Sequence, residues 1–215
     1  MPGRRRQKRT DASKIDATPP WETRVRSEPD PTTGPYDERD APEDEVARVD
    51  LGALRIPVGE GFDIRVDLNE EQQVIAATLA TSDGSMQLGV FAAPRNEGIW
   101  DEVRAEIAES LGSPRSKSTA EKDGPFGVEL HGSLPDETGR AQVPVRFIGV
   151  DGPRWFLRAM IAGPAAVDGA DAELFEAALR DVVVVRGSEP LPVREPVPLQ
   201  LPSGVELPDG ADQAD

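Results

Sequence analysis

Apolar side chains recur at regular intervals only between about residues 46 and 186, first at every second position and then at every third or fourth. That confinement is the strongest constraint on what this chain can fold into. Phe62-Asp63-Ile64-Arg65-Val66-Asp67-Leu68 alternates apolar and charged residues without a break, the period of a strand with one buried and one wet face. Val49, Leu51 and Leu54–Val58 precede it as a short strand closed by Pro57 and Gly59. Gln73–Ala80 and Met86–Ala93 follow, joined through Thr81-Ser82-Asp83-Gly84-Ser85, where the Asp-Gly pair suits the positive φ of a tight hairpin. After Pro94 the period changes. Ile99, Trp100, Val103, Ile107 and Leu111 form a helical stripe, with Asn96 as cap, Glu97, Asp101 and Glu102 at the positive end of the dipole, and Gly112 as terminator.

The second half repeats the scheme. Residues 112–125 read as a polar loop, Phe126–Leu134 as a weak strand and Val143–Val150 as a stronger one. Asp151-Gly152-Pro153 turns the chain into Arg154–Ile161, a hairpin partner stopped by Gly163-Pro164. Asp168 or Asp171 caps a second helix with Leu174, Phe175, Ala178, Leu179, Val182 and Val183 on one face. The β-branched run Val182–Val185 favours an extended ending. Meandering strands around two helices predict an α+β domain: an antiparallel β-sheet with two packed α-helices.

The ends differ from this middle. Residues 1–45 lack periodicity and hold Pro19, Pro20, Pro29, Pro31, Pro35 and Pro42 among charged residues, so a disordered arm is expected there. Trp21 and Tyr36 are its only aromatics. Residues 187–215 carry Pro190, Pro192, Pro196, Pro198, Pro202 and Pro208, which predicts an extended tail. Leu191, Val193, Val197, Leu199 and Leu201 are the side chains with which it would drape over the domain. The three segments are thus 1–45, a single domain at 46–186, and 187–215. They account for a hydrophobic fraction of 37%, below the roughly 45–50% of globular chains.

Composition excludes several chemistries. With no cysteine, disulfides, thiolate zinc sites and cysteine nucleophiles are impossible, and the lone His131 excludes a histidine-rich metal centre. No phosphate-cradling glycine loop or nucleophile elbow is present: Gly59-Glu60-Gly61 precedes a strand, and Ser82-Asp83-Gly84-Ser85 is a turn. No catalytic, cofactor or metal-binding residue is therefore assigned, and no cofactor is expected. No apolar run nears the ~20 residues of a membrane span. The basic start is followed by Thr10-Asp11-Ala12-Ser13-Lys14 rather than an apolar segment, so a cytoplasmic protein is expected.

Two stretches suggest partners. Arg4, Arg5, Arg6, Lys8 and Arg9 could contact nucleic acid weakly and salt-sensitively, against the formal net charge of −16. In the second hairpin, if Trp155, Leu157, Ala159 and Ile161 face the core, then Arg154, Phe156, Arg158 and Met160 share the other face. Arg146 and Ile148 are expected beside them. Arginines around Phe and Met make an interface-like mixture. Ranked just ahead of it is a covered face, with a helix or the tail across it and the arginines paired to Glu189 or Glu195. The function expected is a non-enzymatic protein-binding or scaffold domain with an unknown protein partner. Nucleic-acid association through the arm, or an enzyme whose pocket is assembled from distant residues, are the alternatives.

Leu54-Arg55-Ile56-Pro57-Val58, Val150-Asp151-Gly152-Pro153-Arg154-Trp155 and Val185–Arg194 resemble an uncharacterised bacterial family, domain of unknown function 3710, as do Pro35-Tyr36-Asp37 and the basic start. The resemblance implies no activity, cofactor or catalytic residue. The element order is also similar, more loosely, to the Mog1/PsbP-like sandwich, whose members mostly bind proteins.

Overall fold

In a computed structural model of the chain, residues 33–69, 71, 73–111, 119–136, 138–167 and 169–202 are described. The strands are β1 Tyr36–Asp37, β2 Arg48–Asp50, β3 Leu54–Pro57, β4 Asp63–Leu68, β5 Val74–Ala80 and β6 Ser85–Ala92. They continue after the helix as β7 Ala120–Gly124, β8 Gly127–Pro135, β9 Gln142–Gly152, β10 Trp155–Ala162 and β11 Val183–Val184. The helices are α1 Trp100–Leu111 and α2 Ala170–Arg180, with a 3-10 turn at Pro164–Ala166. The architecture is α+β.

A seven-stranded antiparallel sheet, ordered β4-β5-β6-β10-β9-β8-β7, forms the central layer. One of its faces carries Leu79, Met86, Leu88, Val90, Ile148, Trp155, Leu157 and Ile161. These pack with Phe175 and Leu179 of α2 and with Leu54 and Ile56 of a small sheet ordered β1-β11-β3-β2. That small sheet contains one parallel pair, β1 with β11, beside its antiparallel ones. The opposite face carries Leu130, Val145, Phe147 and Phe156 beneath Trp100 and Ile99. Helix α1 covers only this half. Over β4 to β6 the face shows Asp63, Arg65, Asp67, Thr78 and Gln87, as the alternation in β4 requires.

Glycine sets where the two tryptophans lie. A Cβ at Gly149 would overlap the Trp100 ring and one at Gly152 the Trp155 ring, so β9 offers each indole a bare stretch of backbone. The α1 N-terminus is not capped by Asn96. The Asp151 carboxylate at the end of β9 accepts from the Ile99 and Trp100 N–H groups at 2.8 and 3.2 Å instead. The β5–β6 turn closes with Thr81 N–H donating to the Gly84 carbonyl at 2.9 Å. Neither Asp83 nor Gly84 takes the expected positive φ.

Two boundaries shift. Tyr36–Asp37 lies within the segment expected to lack structure, yet it forms β1. The Tyr36 N–H donates to Val182 and the Glu38 N–H to Val184. Ala120–Gly124 falls in the expected polar loop, yet it pairs with β8 as an edge strand. Trp21 and Gly112 lie outside the described residues.

Among the described residues the tail is built into the fold, with backbone bonds as far as Gln200 and packing by Leu201. Strands β5 and β6 pair only over Ala77–Ala80 and Ser85–Leu88, and the tail enters the gap where they diverge. Arg194 N–H donates to Ala92, Val197 N–H to Val90 and Leu199 N–H to Val74. The intervening Pro196 and Pro198 occupy positions that need no donor, which is how proline is tolerated at a sheet. Val197 and Leu199 are buried, whereas Val193 is exposed. Arg194 also ties the tail to α1, pairing with Glu102 at 3.0 Å and Glu106 at 2.7 Å.

Candidate functional site

The structure separates the five hairpin residues singled out from sequence. A two-residue turn pairs Gly152 with Trp155, so Arg146 stands opposite Ile161 and Ile148 opposite Ala159. Both therefore share the core face of Trp155 rather than the face of Phe156, which corrects the expectation for Arg146 and Ile148. Arg146 is 5% exposed and grips Glu129 with two bonds, Nε to Oε2 at 2.5 Å and Nη2 to Oε1 at 2.9 Å. Its Nη1 meets Glu176 of α2 at 2.8 Å. Burial works against this guanidinium, but the bonds to Glu129 and Glu176 outweigh it and raise its affinity for the proton. His131 lies 3.5 Å from Glu129 in the same cluster. This network pins α2 to the sheet.

Phe156 is also buried, with its ring centroid 5.9 Å from Trp100 and 6.1 Å from Phe91. Met160 packs at the margin of the same cluster. Phe156 is not an exposed contact residue, because Trp100 of α1 stacks on it, and Met160 is half-buried. Arg158 lies over the Phe91 ring at 5.1 Å, and burial lowers its proton affinity. Among the described residues it pairs with neither Glu189 nor Glu195. The basic cluster Arg4, Arg5, Arg6, Lys8 and Arg9 lies outside the described residues.

Arg154 leads to the site that sequence reasoning missed. It follows Pro153 in the β9–β10 turn with φ of 65°. That conformation costs a non-glycine residue roughly 1–2 kcal/mol, and such residues cluster where the surroundings use them. Its side chain borders a cleft of about 410 Å³ lined by Asp37, Glu38, Arg39, Arg95, Arg186 and Ser188, with Pro153 and Gly187 completing the wall. Four segments supply these groups: β1 with its following turn, the stretch after β6, the hairpin turn, and the chain after β11.

Asp37 is the anchor. Its Oδ2 accepts from the Trp155 indole N–H at 2.8 Å, and its Oδ1 from Arg39 Nε at 2.8 Å and Arg39 N at 3.2 Å. Burial alone would raise the Asp37 carboxyl, but the bonds from Arg39 and Trp155 hold it below the ordinary carboxylate range. A carboxylate so engaged is a poor proton donor at neutral pH and offers little to a ligand.

Arg186 is 9% exposed and donates to backbone carbonyls, Nε to Arg154 and Nη1 to Glu189, both at 3.1 Å. Burial, and next the charge of Arg154, lower its proton affinity, while Glu189 opposes them. Among the described residues neither Arg154 nor Arg186 forms an ion pair with a carboxylate. The cleft therefore concentrates positive charge that its own acids leave uncompensated, within a chain whose formal net charge is −16. It can hold an anion.

These features define a class, an α+β sandwich with an arginine-lined cleft at one end of its central sheet. A sequence profile described as "Protein of unknown function (DUF3710)" matches residues 34–207, and the chain belongs to that family. Pro35-Tyr36-Asp37, Asp151–Trp155 and Arg186-Gly187-Ser188, all within the stretches that carry the resemblance, meet at this cleft. None of the curated proteins compared with the chain matches it. Among solved structures, the solution structure of cyanobacterial PsbP (CyanoP) from a Synechocystis species is similar. It is 11% identical, spans 67% of this chain and 96% of that chain, and has a TM-score of 0.35. Among the described residues no helix is long and apolar enough to cross a membrane.

Proposed function

We propose that the chain is a cytoplasmic, non-enzymatic protein-binding domain that docks an acidic group of its partner in the arginine-lined cleft. The observation that carries this reading is the pair Arg154 and Arg186, adjacent and, among the described residues, without a salt bridge to a carboxylate, beside an Asp37 already committed to Trp155 and Arg39. The enzyme alternative would have gained from Arg146 and Arg158 converging on a carboxylate. They project instead from opposite faces of the sheet, and Arg146 is consumed by Glu129 and Glu176.

Affinity capture with the full-length chain tests the reading, because trimming to residues 46–186 would remove β1 and the docked tail. A partner retained by the wild type and lost by Arg154→Glu supports it. Equal retention by both proteins, or no partner under conditions that recover known complexes, overturns it.

The basic cluster Arg4–Arg9 supports a second reading, weak nucleic-acid contact through the N-terminal arm. Binding that weakens steeply with added salt and vanishes when those residues are neutralised supports it. Unchanged retention of the neutralised variant on DNA or RNA rejects it.

A further inference from the structure

The geometry points to a phosphate monoester as the anionic group held in the cleft. This rests on the anion-docking reading above and deepens it by naming the charge and shape of the ligand.

Charge balance is the first argument. Arg39 is matched by Asp37, with N–O contact at 2.8 Å. Arg95 and Glu38 add one charge of each sign. Arg154 and Arg186 remain, lining the same cleft with Arg186 Nε bonded to the Arg154 carbonyl at 3.1 Å, and the charge of Glu189 offsets their mutual repulsion only in part. A carboxylate or sulfate monoanion would relieve half of that crowding. A phosphate monoester carries a charge of about −1.5 to −2 near neutral pH, so one such group balances both arginines.

Donor geometry is the second argument. Gly187 has φ of 66°, the left-handed conformation that one residue of an anion-binding backbone concavity adopts, and Gly187 and Ser188 are both exposed. Among the described residues neither the Gly187 nor the Ser188 N–H meets a backbone acceptor. The Ser188 hydroxyl borders the same space. The Arg154 guanidinium, the donors of Arg186 not spent on the Arg154 and Glu189 carbonyls, backbone N–H groups and a hydroxyl suit several oxygens on one centre better than the two of a planar carboxylate. The third argument is size. At about 410 Å³ the cleft falls within the roughly 300–1,000 Å³ of small-molecule sites, leaving room for the group that bears the ester.

The test follows the amide resonances of Gly187 and Ser188 in the full-length protein while phenyl phosphate, phenyl sulfate or benzoate is added. We expect phenyl phosphate to bind at least about tenfold tighter than the two monoanions, and Arg154→Gly to abolish that preference. A phosphoserine peptide is added in a further titration. Tighter binding than phenyl phosphate assigns the group to a modified partner chain, and equal binding assigns it to a small phosphorylated molecule. Either result supports the inference. Sulfate or benzoate binding as tightly as phosphate overturns the phosphate assignment and leaves the acidic-partner reading standing. Resonances that move with none of the anions remove both. Unchanged phosphate affinity in Arg154→Gly contradicts the placement of the ligand.

Discussion

Two arginine clusters in this molecule are built from the same residue types and behave differently. On the α2 side of the sheet, Arg146 is enclosed by Glu129 and Glu176, and each charge has its partner within about hydrogen-bonding distance. At the far end of the second hairpin, Arg154 and Arg186 stand together while the nearest buried carboxylate, Asp37, is satisfied by other donors. The first cluster is closed and holds the fold together. The second is open and unbalanced. What separates the two clusters is whether the charges cancel, and composition alone does not show that.

The largest expected effect lies in the closed cluster. Arg146→Met leaves Glu129, whose side chain is 2% exposed, without its bidentate partner. A loss of about 3–5 kcal/mol is expected in chemical denaturation. Adding Glu129→Gln to that variant should restore much of the stability, because the stranded charge is then gone. A double variant no better than the single one would break the account of this cluster.

Asp37→Ala comes next. It strands the buried Trp155 N–H and frees Arg39, at a cost of about 1–3 kcal/mol at neutral pH. Asp37 has a folded-state pKa below its ordinary value of 3.8, so its contribution is complete above that value and disappears as pH falls through the folded value. The gap between wild type and Asp37→Ala should therefore close in acid. A gap that widens in acid would show that burial, not the Trp155 and Arg39 bonds, dominates.

The smallest effect concerns His131. It is the chain's only histidine, so a single imidazole resonance reports it. Burial, then Lys122, depress its pKa below 6.5, while Glu129 opposes them. Its proton should be lost at lower pH than in a free peptide, and stability should decline as pH falls below about 6.5 toward the folded value. A raised midpoint would mean that Glu129 outweighs burial, and the closed cluster would then carry a spare negative charge.

Much of the fold was legible because it rests on local period. Ile64, Val66 and Leu68 pack against the core while Asp63 and Arg65 stay wet, and the α1 stripe meets its sheet face. The β-branched run after α2 becomes β11 as expected. Strand β7 was illegible because Ala-Glu-Lys-Asp-Gly has no apolar alternation. Charged edge strands discourage unwanted pairing and leave little signal. Strand β1 was illegible for the opposite reason: its fixing partners, β11 and Trp155, are distant in sequence.

Arg146 went to the wrong face through parity. A two-residue turn sets even positions of β9 opposite odd positions of β10, and an error of one residue in register inverts a strand. The cleft draws on four separated segments, so no single window reveals it. The available signals were a buried Trp155 needing an acceptor and the Arg186-Gly187 pair.

The central claim is that Arg154 is kept for what it binds and not for what it stabilises. Denaturation of Arg154→Gly beside the wild type, each with and without phenyl phosphate, tests it most directly. Glycine relieves the φ of 65° but adds unfolded-chain entropy worth about 0.4–1 kcal/mol, so the variant should equal the wild type or exceed it by up to about 1 kcal/mol, and phosphate should stabilise only the wild type. A variant less stable by more than about 1 kcal/mol, or one stabilised equally by phosphate, would contradict the account.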